Sequence, residues 1–117
     1  MDDHIKGQVQ QKSLISDQYF YIHIFKKTER IVSVVFYILQ AIEHKDKYQR
    51  ILNDIEDSAQ GLHNAALASL TARAHVAEES VQVLTHALIT LESKLRIALV
   101  TGVFTAEVLQ VIDNEID

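Results

Sequence analysis

The sequence predicts an all-α fold: a helical bundle of three long helices and a short C-terminal helix, in up-down topology. Three observations carry that expectation. Proline is absent from the 117 residues and glycine stands only at positions 7, 61 and 102, so the usual interruptions of long helices are nearly missing. Apolar residues recur at steps of three and four through most of the chain, the spacing that collects them on one helix face. Residues 19–25 (YFYIHIF) have the β-branched and aromatic content of a strand, but no second such stretch offers a partner, so they are assigned to helix.

Residues 1–15 are polar and include Gly7; they are expected to be a flexible lead-in to one domain over 16–117. Ser16 and Asp17 supply a helix start, a hydroxyl for an orphan N–H and a carboxylate for the positive helix end. The first helix should run from about 17 to 43. Its stripe is Ile24, Thr28, Ile31, Val35, Ile38 and Ile42, and Val32, Val34, Phe36, Tyr37 and Leu39 lie off it. A helix apolar on several sides is normally enclosed by protein, so this one is expected at the centre of the bundle.

After a polar turn at 43–47, Asp46 can cap a second helix with Ile51, Ile55, Ala59, Leu62, Ala66 and Leu70 on one face. The pattern then continues through Ala74, Ala77, Val81, Leu84, Leu88, Leu91, Leu95 and Ala98 with no Pro or Gly to mark a turn. Either 46–101 is one helix of about 80 Å, or the chain reverses near 67–75, with Ser69 or Thr71 as cap and Glu78 and Glu79 opening the next helix. Ordinary helix lengths and the need to close one core favour the reversal. Gly102 should end the third helix in a left-handed conformation, and Thr105 should cap the last, whose apolar side is Val108, Leu109, Val111 and Ile112.

Composition narrows function by exclusion. There is no cysteine, hence no disulfide, thiolate nucleophile or Cys-based zinc site. The N-terminus lacks the apolar core of a signal peptide, and no run approaches the ~20 apolar residues of a membrane span, so a cytoplasmic location away from membranes is expected. Residues 74–117 hold two basic and seven acidic groups of a chain whose net charge is −5. That balance argues against nucleic acid, which is bound through concentrated Lys and Arg.

Four patterns bear on chemistry. Residues 97–112 (IALVTGVFTAEVLQVI) have the small residue, turn glycine and apolar contacts of a helix-turn-helix, making a nucleic-acid binder the alternative function. The exposed candidates, Thr105, Ala106, Leu109, Gln110 and Asp113, include no base, so Gly102 and Thr105 are read as a structural corner. Of the six histidines, at 4, 23, 44, 63, 75 and 86, none belongs to a Glu-x-x-His motif; His75 with Glu79 is a chance-level pair, and neither metal nor other cofactor is expected. Lys26, Lys27 and Arg30 form the densest basic spot, a possible interaction surface or an ion-paired helix turn. No nucleophile elbow or phosphate-binding loop occurs, so an enzyme is not expected. The remaining reading is a module acting through protein contacts, first with a second copy of itself as a homodimer.

The residues Lys27-Thr28-Glu29-Arg30, the apolar stretch with Tyr37 that follows, and 95–115 (LRIALVTGVFTAEVLQVIDNE) resemble small helical proteins of unknown function from uncultivated candidate-phylum (CPR-type) bacteria. Those proteins open an apolar helix with Lys-Thr-Glu-Lys/Arg and end a late helix in Gly ahead of a Ser- or Thr-capped final one, as Gly102 and Thr105 do here. The resemblance implies a loop between the middle helices, which this sequence does not display. It implies no activity and no cofactor.

Overall fold

The computed structural model describes the backbone at residues 2–43, 45–70 and 77–116, and the side chains at 19–43, 45–70 and 78–116. Four helices follow one another: α1 (Asp2–Ala41), α2 (Gln49–Leu70), α3 (Ala77–Val100) and α4 (Ala106–Ile116). Among the described residues there is no strand, and 19–25 is helical. No described helix is long and apolar enough to cross a membrane.

α1 begins at Asp2, so Ser16 and Asp17 lie inside a helix instead of starting one. With no proline to stop it, the helix needs only to accommodate Gly7, at a cost of ~1 kcal/mol. Farther along, Thr28, Ile31 and Val35 are buried as the stripe predicts, and Ile24, Ile38 and Ile42 pack against the core from its margin. Val32 and Leu39 are buried as well, which widens the face toward α2. Tyr37, by contrast, is 76% exposed.

Residues 45–48 form a single turn, in which Tyr48 N donates to Lys45 O (3.1 Å) and Leu52 N to Tyr48 O (2.9 Å). Asp46 therefore sits within the turn and does not cap α2. The buried residues of α2 are Leu52, Ile55, Ala59, Leu62, Ala66 and Ser69; the Ser69 hydroxyl donates to Ala66 O (2.7 Å), which lets a polar side chain enter the core. Leu70, expected on the same face, is exposed at the helix end.

The single long helix is excluded by two contacts. Lys94 Nζ lies 3.9 Å from Asp54 Oδ2, whereas one continuous helix would hold these residues roughly 60 Å apart at 1.5 Å per residue. The Tyr48 hydroxyl, at the start of α2, lies 3.9 Å from where a Cβ on Gly102 would sit, just past the end of α3. Residues 71–76, including Thr71, Ala74 and His75, lie outside the described residues. Leu84, Leu91, Leu95 and Ala98 of α3 are buried as their spacing predicts, and Glu78 and Glu79 occupy the first turn, at the positive helix end.

The helix lying between the other two long ones is α2, not α1. It packs against α1 and α3, while α4 packs against α1 and α3 from the other side, and α1 and α3 have no Cα atoms within 8 Å of each other among the described residues. The cause is side-chain size. Ala59 and Ala66 are fully buried and Ala65 packs against the core, so α2 takes both other long helices as close neighbours, while α1 has α2 and the short α4.

Candidate interaction surface

The corner between α3 and α4 is built by its backbone. Gly102 has φ 85°, Gly102 N donates to Leu99 O (3.1 Å), and Val103 N donates to Ala98 O (2.9 Å). This is a Schellman ending, sealed by Val103 packing against the core that contains Ala98. Thr105 caps α4 as expected: Val108 N donates to its Oγ1 (3.3 Å) and Leu109 N to its O (3.2 Å). Between them Phe104 is buried, 6% exposed. The sequence does not mark its burial, because a lone aromatic in a turn carries no periodic signal.

α4 docks through Ile112, which is buried, with Val108, Leu109 and Ile116 at the core margin. Val111, expected on the apolar side, is 53% exposed. The outward positions of α4 are Ala106, Glu107, Gln110, Val111 and Asn114, and residues 98–117 contain no Lys or Arg.

Lys26, Lys27 and Arg30 are brought together with His23, Asn114 and Glu115 around a hollow of about 360 Å³. Arg30 Nε stands 4.0 Å from Glu115 Oε2, with the arginine 68% exposed; a pair this open contributes little by itself. The larger effect is collective. The C-terminal end of α4, negative from its unpaired carbonyls and from Asp113 and Glu115, faces three basic side chains of α1. The cluster and the corner thus hold the two ends of α4, and both face solvent, the cluster through Lys26 and Arg30 and the corner through Gly102 and Thr105.

Tyr37 forms a ridge between two open grooves. One, about 570 Å³, is lined by Glu29, Val32, Phe36, Gln40 and His63, and the other, about 460 Å³, by Arg30, Val34, Ile38, Val108 and Val111. Higher on α1, Tyr19 (70%), Phe20 (54%) and Ile22 are exposed. His63 packs beside Phe25 (ring centroids 6.3 Å apart), while His23 and His86 face solvent. The side chains of His4, His44 and His75 lie outside the described residues, among which no three His, Cys, Asp or Glu converge. What these surfaces offer chemically is apolar contact bordered by positive charge. Comparison with protein-family models, curated proteins and solved structures gives no match.

Proposed function

We propose that this chain is a cytoplasmic structural module that works through protein contacts, without catalysis, and does so as a homodimer. The supporting observation is surface area. The chain exposes 8373 Å² at 13.3 kDa, where a compact monomer of that mass would expose about 6,400 Å². The excess, about 1,900 Å², is more than twice the ~800 Å² that each partner gives to a standard interface. A radius of gyration of 18.2 Å, against about 13 Å for a compact chain of this length, tells the same story. α1, a 40-residue helix of roughly 60 Å, is longer than α2 (22 residues) and α3 (24 residues).

Sedimentation equilibrium at micromolar concentration tests this reading. The expected mass is twice that of the chain, falling toward the single chain on dilution. A single-chain mass at all concentrations would overturn it.

A further inference from the structure

The outer side of α3 is apolar. Leu84, Leu91, Leu95 and Ala98 are buried in the core, and Ser93, two residues or ~200° from both Leu91 and Leu95, points directly away from it. The other outward positions are His86, Ile89, Ile97 and Val100. All are exposed, Ile89 at 59%, Ile97 at 54% and Val100 at 87%. From 53 to 64, by contrast, the exposed residues of α2 are all Asn, Asp, Glu, Gln or Gly, so an apolar outer face is not a general feature of these helices. Thr90, beside the face, donates its hydroxyl to His86 O (2.9 Å), so covering it strands no donor.

That face is complementary to itself. From His86 to Val100 its steps are three, four, four and three, the same in either direction from Ser93. Laid antiparallel on a second copy, it sets Ser93 against Ser93, Ile89 against Ile97 and His86 against Val100. The charges on one flank fit the same axis. Arg96 Nη2 stands 3.4 Å from Glu92 Oε2 within the helix, and a guanidinium has more donors than one carboxylate uses. A two-fold axis through Ser93 brings the second copy's Glu92 onto the same flank, about 3 Å along the helix from Arg96. Each arginine then lies within reach of both carboxylates. On the other flank Lys94 turns to Asp54 of α2 (3.9 Å).

We infer that a second copy of this chain covers the outer face of α3 with its own α3, antiparallel, about a two-fold axis at Ser93. The inference rests on the homodimer proposed above and names its face. Each patch meets its own copy, as a closed two-fold interface requires. The small Ser93 lets the helices approach closely, and the isoleucines of both copies close around it.

The absence of native cysteine makes the axis directly testable. Helices packed roughly 8–10 Å apart, with Cα atoms ~2.3 Å from each axis, hold the two copies of a residue on the two-fold at a Cα separation of roughly 5 Å, inside disulfide range. In the full chain, Ser93→Cys should therefore give a covalent dimer on mild oxidation, while Gln60→Cys, on the exposed side of α2, should stay unlinked. Arg96→Glu, which gathers only carboxylates on the charged flank, should weaken the dimer by roughly tenfold or more at low salt, with helicity retained by circular dichroism. A wild-type dimer in which Ser93→Cys links no better than Gln60→Cys would overturn this face and leave self-association standing, as would an Arg96→Glu dimer of unchanged affinity. A wild-type monomer would remove both and leave the face to a chain of another kind.

Discussion

α1 and α2 divide the work of the bundle in a way their compositions do not suggest. α1 contains the most apolar run of the chain, yet it stands at one side of α2, with Tyr37, Phe20 and Tyr19 in solvent. α2 mixes polar residues and alanines with a single stripe of isoleucine and leucine, yet it lies between the two other long helices, with Ile55, Ala59 and Ala66 showing no exposed surface. Centrality in a bundle is set by how closely neighbours can approach on both flanks, and alanine permits that better than isoleucine or phenylalanine. Greasiness on several sides is instead a sign that a helix has more than one set of partners, some of which need not belong to the same chain.

Substitutions along the two helices would break or sharpen this contrast, measured as urea midpoints at one fixed protein concentration because a dimer's stability depends on it. The largest loss is expected at Ile55→Ala, roughly 2–5 kcal/mol, since a fully enclosed side chain leaves a cavity that two flanking helices cannot both close. Next comes Ala59→Leu, roughly 1–3 kcal/mol, because added volume on α2 must push against a helix at close range; a neutral or stabilising result would show that α2 is not tightly flanked. Smallest is Tyr37→Ala on α1, within about 0.5 kcal/mol. A loss comparable to that of Ile55→Ala would mean that Tyr37 is covered, and would place a dimer contact on the Tyr37 ridge.

The faces were legible wherever the period was long. Ile31 and Val35, Ile55 and Leu62, Leu91 and Leu95 are all buried as the three-four spacing requires, and Gly102 and Thr105 carry the bonds their types predict. Legibility failed where the determining interaction was not local. Asp46 had the chemistry of a cap but fell within a one-turn segment that starts the helix later, at Gln49. Val111 had the spacing of a core residue, but it lies at the edge of an open groove between α4 and α1. The basic spot at Lys26, Lys27 and Arg30 was recognisable as a cluster; that it faces the end of α4 could not be read from sequence, since 85 residues separate Arg30 from Glu115.

The sequence by itself determined that the chain is helical, which side of each helix seeks cover, and where α3 ends, because backbone hydrogen bonding, side-chain period and a left-handed glycine are properties of short stretches. Tertiary structure alone decided that α2 and not α1 lies between the two other long helices, that Val111 is left at the edge of a groove, and that Tyr37 and Phe20 stay exposed. Those outcomes depend on which surfaces end up opposite one another and how long each is, and burial belongs to a pair of surfaces, never to one.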